Sequence, residues 1–181
     1  HTRSSAASDV YKRQVHDVRV FVGRGSSGVR GIRLKPNDFV VSMSLIPTLE
    51  KRFILSVTEN GFGKRTPVED YRMTNRGGQG VANIECSTRN GPVVASYVAS
   101  EDDQIMLVTN SGKLIRIRVH GGEGDSIRVA GRKTQGVRLF DVDEGEKVVS
   151  VALLSESDDE QDEEITEVVL DNKDNGNEVE N

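Results

Sequence analysis

The chain has 181 residues, of which 35% are hydrophobic and 4% aromatic, with no tryptophan, so a single large apolar core would be poorly supplied. The net charge of −5 hides three unlike segments: +2 over residues 1–14, +4 over residues 15–154 and −11 over residues 155–181. One cysteine excludes an internal disulfide, and no apolar run is long enough to span a bilayer, so we expect a cytoplasmic protein without a membrane partner.

The first residues differ from the rest. Ser4–Gln14 reads SSAASDVYKRQ and resembles the translation of a sequencing-library adapter. We therefore interpret residues 1–14 as an adapter-like or disordered arm that is not native, and we leave them out of the fold. The native protein is expected to begin upstream of Val15, and no signal peptide is predicted, because Asp9 and Lys12 interrupt the short apolar stretch.

Three later segments are close copies of one another. Box 1 is GRGSSGVR at Gly23–Arg30, box 2 is NRGGQGV at Asn75–Val81, and box 3 is GRKTQGVR at Gly131–Arg138. Each is followed by a second shared element, here called a VV segment. The VV segments are DFVVSM at Asp38–Met43, GPVVAS at Gly91–Ser96 and EKVVSV at Glu146–Val151.

A third element recurs as FILSVTENGFGKRT at Phe53–Thr66 and IMLVTNSGKLIRI at Ile105–Ile117. Both are rich in β-branched residues and contain a turn signal, Asn60-Gly61 or Ser111-Gly112, which predicts a two-residue type I′ hairpin. The expected strand pairs are Phe53–Val57 with Gly63–Pro67, and Ile105–Thr109 with Lys113–Val119.

A period of just over 50 residues with about four strands is typical of a propeller blade. We predict an all-β, propeller-like protein of about two and a half blades in an incomplete ring, with repeats near 15–66, 67–120 and 121–154. Such a fragment should leave unpaired strand edges and tend to associate. Residues 155–181 are too acidic to fold and are predicted to be a disordered tail, which either competes for the cations of the folded part or only aids solubility.

The boxes, with the flanks GVRGIRL, TENGFGKRT, RNGPVV and TQGV, resemble the last repeats of the C-terminal β-pinwheel of the DNA gyrase A subunit family, over about Val18–Leu154. The resemblance implies a DNA-wrapping rim whose partners are double-stranded DNA, the gyrase B subunit, and the rest of the gyrase A subunit. It also implies ATP-dependent negative supercoiling by the whole enzyme, with ATP and Mg²⁺ bound elsewhere. The family's diagnostic Gln-Arg-Arg-Gly-Gly-Lys/Arg-Gly string and its catalytic tyrosine are not found here, so no catalytic residue or cofactor is assigned to this chain.

Cations gather around the boxes and after the hairpin turns, where repetition should align them in a belt that follows duplex phosphates. No aromatic residues interleave with them, so stacking on single-stranded bases is not expected. The predicted DNA-binding residues are Arg24, Arg30, Arg33, Lys64, Arg65, Arg72, Arg76, Lys113, Arg116, Arg118, Arg132, Lys133 and Arg138.

Other interpretations of these residues stay open at this point. Lysines and arginines on strands are often only a solvated face. Gly23–Gly28 matches a dinucleotide-binding pattern but lacks the helix that the pattern requires. Cys86, Tyr71 and Tyr97 are interpreted as packing residues, and no metal site is predicted. Alternative functions are a protein-binding β-propeller scaffold and the C-terminal domain of the A subunit of topoisomerase IV.

Overall fold

The computed structural model describes residues 8–47, 51–121 and 126–155. Within them the chain is all-β, which confirms the predicted class. The strands are β1 (Ser8–Val10), β2 (Phe53–Thr58), β3 (Phe62–Pro67), β4 (Val81–Ile84), β5 (Val93–Ala99), β6 (Gln104–Thr109), β7 (Leu114–Arg118), β8 (Val137–Arg138) and β9 (Val148–Leu154). Two single 3-10 turns lie at Val15–Asp17 and Val68–Asp70. No helix in these ranges has the length and apolarity needed to cross a membrane.

The strands form three sheets, in the orders β1-β4, β5-β2-β3-β8 and β7-β6-β9. The hairpins β2-β3 and β6-β7 form as predicted, with Val57 opposite Gly63 and Val108 opposite Leu114. The sheets do not close into a ring over the described residues, as expected for a partial propeller.

The hairpin turns differ from the predicted type. Only Gly61 and Gly112 have positive φ values there, +74° and +84°, whereas a type I′ turn requires positive φ at two positions. The Gly61 N–H donates to the Thr58 carbonyl at 3.1 Å, and the Gly112 N–H donates to the Thr109 carbonyl at 3.0 Å. Each turn is therefore a type I turn followed by a glycine in the left-handed region, which adds one residue to the loop.

The sheets are assembled from distant parts of the chain. The hairpin β2-β3 pairs with β5, which belongs to the second VV segment, and with β8, which belongs to box 3. The hairpin β6-β7 pairs in the same way with β9, which belongs to the third VV segment. The sheet built on β2 and β3 thus takes its hairpin, its VV strand and its box strand from three successive repeats.

This pairing scheme explains why the first VV segment is not a strand. Residues 38–46 have no regular secondary structure, and Phe39 and Met43 are 75% and 93% exposed. In the other two repeats the VV strand pairs with a hairpin that begins about 40 residues earlier, as in the pair Ser56 and Ser96. No such hairpin precedes residues 38–46 in the described part of the chain, so the backbone lacks a partner for its hydrogen bonds.

Residues 8–12 occupy a position like that of β3. Val10 lies opposite Val81 of box 2, just as Gly63 lies opposite Val137 of box 3. Lys12 makes a parallel bridge to Met73, as Arg65 does to Val129. The structure therefore describes a strand within the segment that we left out of the fold, while the adapter-like origin of residues 1–14 stays a prediction.

The apolar core lies between the two larger sheets. Its buried side chains are completely or almost completely hidden from solvent and include Leu55, Ile105, Leu107, Val119 and Val148. A smaller cluster surrounds Tyr71, whose hydroxyl donates to Asn83 Oδ1 at 2.5 Å and whose pKa is raised to about 12 by burial. Tyr71 is thus a packing residue, as predicted.

Candidate nucleic-acid interface

Successive boxes are joined by equivalent backbone hydrogen bonds. The Arg33 N–H, just after box 1, donates to the Gly78 carbonyl of box 2 at 3.0 Å. The Glu85 N–H, at the same place after box 2, donates to the Thr134 carbonyl of box 3 at 3.1 Å. Because the same backbone hydrogen bond recurs one repeat later, each box lies against the segment that follows the previous box.

The joint between box 1 and box 2 has exposed arginines next to it in the chain. A second bond at this joint runs from the Gly77 N–H to the Gly31 carbonyl, at 2.9 Å. Arg30 and Arg33 flank one side of the two bonds and Arg76 flanks the other, and all three are exposed. We call Arg30, Arg33 and Arg76 the box surface.

The joint around box 3 is built on a buried lysine. Lys64 of β3 is fully buried, and its ammonium donates to the carbonyls of Asn83, Gly131 and Arg132 at 2.7, 2.6 and 2.8 Å. Burial, with a smaller contribution from the positive charge of Arg132, lowers the pKa of Lys64 to about 8. The amine therefore keeps its proton at neutral pH and can fill all three acceptors.

Arg65, the neighbour of Lys64, is also an internal cation. It is 5% exposed, and its Nε donates to the Ile127 carbonyl at 2.7 Å, while its guanidinium lies 4.9 Å from the Phe53 ring centre. The prediction that Lys64 and Arg65 lie on an outer belt is wrong, because the chain between Ile127 and Arg132 covers this part of β3.

The other predicted cations fall into three groups. Lys113 and Arg138 are exposed but ion-paired, Lys113 with Asp143 at 2.5 Å and with Glu146 at 2.8 Å, and Arg138 with Asp141. Arg132 is half-buried and donates to the Ala82 carbonyl, and Arg116 donates to Gln104 Oε1. The remaining predicted cations are exposed, and they are Arg24, Arg30, Arg33, Arg72, Arg76, Arg118 and Lys133.

Glu146 anchors the second hairpin turn from inside. Its carboxylate accepts hydrogen bonds from the Asp143 N–H, the Lys113 ammonium and the Thr109 and Ser111 hydroxyls. The backbone bond from Asp143, followed by the bonds from Lys113, Ser111 and Thr109, lowers the pKa of Glu146 to about 2. Lys113 is thus committed to the turn rather than to an external phosphate.

One cation at the first hairpin was missed from the sequence. The Arg89 guanidinium lies 4.9 Å from the centre of the Phe62 ring, and Arg138 lies 5.4 Å from the same centre. Both arginines are exposed, so Phe62 holds two guanidinium groups at one corner of the sheet. The pairing of Phe62 with Arg138 creates this corner, and the RNGPVV string that contains Arg89 was the only sequence signal for it.

No metal-binding group of three or more His, Cys, Asp or Glu side chains occurs in the described ranges. Cys86 is buried, which raises the pKa of its thiol and agrees with a structural role. Tyr97 donates its hydroxyl to the Val151 carbonyl and packs against the core, again as predicted.

The fold and the repeated joints define a propeller-like β-pinwheel with strands exchanged between repeats. The family described as DNA gyrase C-terminal domain, beta-propeller, matches residues 10–47, 52–91 and 103–155, which is more than half of the chain. The chain belongs to this family of DNA gyrase A C-terminal domains.

Individual relatives agree with the family. The DNA gyrase A subunit of Rickettsia bellii is 38% identical over 196 residues, covering 83% of this chain and 21% of the relative. The DNA gyrase A subunit of Neisseria gonorrhoeae is 43% identical over 141 residues, covering 76% of this chain and 15% of the relative. The chain thus spans about a fifth or less of the curated relatives that it matches.

Two solved structures share the fold. The structure of a DNA gyrase A C-terminal domain superposes with a TM-score of 0.67 at 29% identity, covering 83% of this chain and 49% of that one. The C-terminal domain of a DNA topoisomerase IV superposes with a TM-score of 0.61, also at 29% identity, covering 70% of this chain and 38% of that one.

Proposed function

We propose that this chain is a duplex-DNA-binding and wrapping module of a type II topoisomerase. The observation that carries the proposal is the equivalent backbone joint between successive boxes, which sets in a regular series three boxes that share an arginine at one position, Arg24, Arg76 and Arg132. Cations repeated along successive boxes suit the regularly spaced phosphates of a double helix.

The box surface is the proposed first contact. Arg30, Arg33 and Arg76 are exposed and lie around two short backbone bonds, so their positions are fixed while their guanidinium groups remain accessible. At box 3 the exposed cation is Lys133, because Arg132, which corresponds to Arg76, is half-buried. Contacts of this kind carry no base specificity, so binding should depend strongly on salt and weakly on sequence.

In the whole enzyme, we propose that the wrapped duplex is presented for ATP-driven strand passage and negative supercoiling by the other domains of the gyrase A subunit with the gyrase B subunit. The gyrase names of the curated relatives support gyrase over topoisomerase IV. The topoisomerase IV structure has a similar fold, so the alternative is a second, less favoured proposal.

The test is duplex-DNA binding by R33Q/R76Q, measured by fluorescence anisotropy over a salt series. Removing two phosphate contacts should weaken binding at low salt and reduce the slope of log affinity against log salt by about two. The matched control is K51Q/R128Q, which removes two exposed cations outside the boxes. Equal slopes for the two double variants, or no binding by the unmodified chain, would contradict the proposal.

A further inference from the structure

The two hairpin turns carry different charges at corresponding positions. The hairpins align through their turn glycines and their strand pairing, so that Lys113 after the second turn corresponds to Phe62 after the first. At Phe62 two exposed guanidinium groups lie against the ring, those of Arg89 and Arg138. We call Phe62, Arg89 and Arg138 the first corner.

The first corner holds its two cations in place for an anion. The Arg89 and Arg138 guanidinium groups lie 4.9 and 5.4 Å from the centre of the Phe62 ring, and Phe62 is only 3% exposed. Because both groups lie near one ring, they are within reach of a single phosphate or of two successive phosphates of one strand. Contact with the ring also restricts the long side chains, which reduces the entropy that they lose on binding.

The corresponding position at the second hairpin is surrounded by carboxylates. The Lys113 ammonium lies 2.5 Å from the Asp143 carboxylate and 2.8 Å from the Glu146 carboxylate. Glu144, between these two acids in the chain, is exposed. We call Lys113, Asp143, Glu144 and Glu146 the second corner. A phosphate that approaches the ammonium here meets carboxylates that already occupy it.

The segment that joins the two corners makes the difference in charge steep. Residues 141–146 read DVDEGE and pass from the ion pair of Arg138 with Asp141 to the ion pair of Lys113 with Asp143. At the first corner two arginines face one aspartate, whereas at the second corner one lysine faces three carboxylates. Exposed charges act over about 10 Å at roughly 0.1 M ionic strength, so this difference is felt by a duplex beside the turns.

We infer that duplex DNA is bound at the first corner and kept away from the second, so that the DNA path includes the first hairpin turn but not the second. The inference rests on the proposed function and sets a limit to the surface that the duplex covers. The first corner continues the box series, because Arg138 is the last residue of box 3. It also assigns a phosphate contact to Arg89, which lies outside the boxes.

The test compares two double variants that each remove one exposed ion pair and leave the net charge unchanged. R138Q/D141N acts at the first corner and K113Q/D143N at the second. Duplex-DNA binding is measured by fluorescence anisotropy over a salt series. R138Q/D141N should weaken binding at low salt and reduce the slope of log affinity against log salt by about one, because one phosphate contact is lost. K113Q/D143N should match the unmodified chain in affinity and slope.

Arg89 is tested separately by R89Q, which changes an exposed side chain and does not touch the ion pairs. R89Q should also reduce the slope by about one. R128Q is the matched control, because it removes the same charge from an exposed arginine outside both corners, and its slope should stay that of the unmodified chain. Thermal unfolding shows whether each variant is folded.

The outcomes separate this inference from the proposed function. If R33Q/R76Q loses slope while R138Q/D141N and R89Q keep it, the proposed function stands and the inference is overturned. If K113Q/D143N loses as much slope as R138Q/D141N, the duplex crosses both turns and the inference is again overturned. Failure of the unmodified chain to bind duplex DNA would overturn both.

Discussion

The Lys64 ammonium lies 2.6 Å from the carbonyl oxygen of Gly131, a residue 67 positions further along the chain. This bond ties the middle of the first hairpin to the first residue of box 3. Because Lys64 also reaches Asn83 and Arg132, one side chain holds together segments from three repeats.

Replacing Lys64 by methionine should therefore destabilise the fold. K64M keeps most of the side-chain volume but leaves buried carbonyl oxygens without their donor, at an expected cost of about 2 to 3 kcal/mol in the free energy of unfolding. Urea denaturation measures it, and K51M, at an exposed lysine, should change stability by less than about 0.5 kcal/mol. A K64M protein as stable as K51M would show that these bonds contribute nothing.

Alkaline pH should change the difference in the free energy of unfolding between the unmodified chain and K64M. The pKa of Lys64 is about 8 in the folded state and ordinarily 10.5, so the unfolded state holds this proton more tightly between these values. The free energy of unfolding of the unmodified chain, relative to K64M, should rise as pH increases from 8 to 10.5 and be flat below that window. Denaturation at several pH values measures it, and a decrease through this range would refute the assignment.

Acidic pH should weaken the second hairpin through Glu146. The pKa of this carboxyl is about 2 when folded against an ordinary 4.5, so its contribution to stability is present above the ordinary value and is lost as pH falls from 4.5 towards 2. E146Q should remove that part of the pH dependence, as followed by thermal unfolding. E144Q, at the exposed neighbour, should leave the acid limb unchanged, and identical profiles for the two variants would argue against the role of Glu146.

Alanine substitutions at the two turn glycines should separate the stability cost of backbone strain from that of steric clash. G112A should cost about 1 kcal/mol, because φ is +84° but nothing lies within 4 Å of the added Cβ. G61A should cost at least about 1 kcal/mol more, since φ is +74° and its Cβ would lie 2.8 Å from the Phe140 carbonyl oxygen. Chemical denaturation measures the free energy of unfolding of both variants. Equal decreases would mean that the Phe140 backbone moves aside freely.

Releasing Arg138 from its ion pair should strengthen DNA binding if the corner around Phe62 contacts phosphate. D141N removes the acidic partner of Arg138, and an exposed pair of this kind is weak enough for a phosphate to compete with it. We expect an affinity for duplex DNA higher by about threefold at low salt, measured by anisotropy. D102N, at an exposed aspartate elsewhere, is the control, and the same gain in both variants would indicate only a change in net charge.

The hairpins were predictable from the sequence because their causes are local. The alternation of apolar residues and the turn glycines fix β2, β3, β6 and β7 to within a residue or two of the predicted bounds. The predicted turn type was wrong because Asn60 and Ser111 do not adopt positive φ. The first turn also contacts a segment about 30 residues later, through the bond from Asn60 Nδ2 to the Arg89 carbonyl.

The burial of Lys64 and Arg65 was not predictable from their own neighbourhood. The string GKRT looks like a polar strand end, and the residues that cover it lie between Ile127 and Arg132. Box 1 gave the opposite error, since it reads almost like box 3 but has no hairpin to pair with among the described residues. In both cases, burial or exposure of the segment depends on which distant segment packs against it, and the local residue pattern does not predict that.

The exchange of strands between repeats also sets the order in which the chain can fold during synthesis. The sheet built on β2 and β3 is complete only when Val137 and Arg138 have left the ribosome, more than 70 residues after Gly63. A solenoid can gain stability one repeat at a time, whereas the sheet of β2 and β3 must wait for two later repeats, so its contacts are long-range and its formation slow. Nascent chains of this kind therefore expose half-built sheets for many seconds, at about 5–20 residues per second, which is when chaperones have access to them.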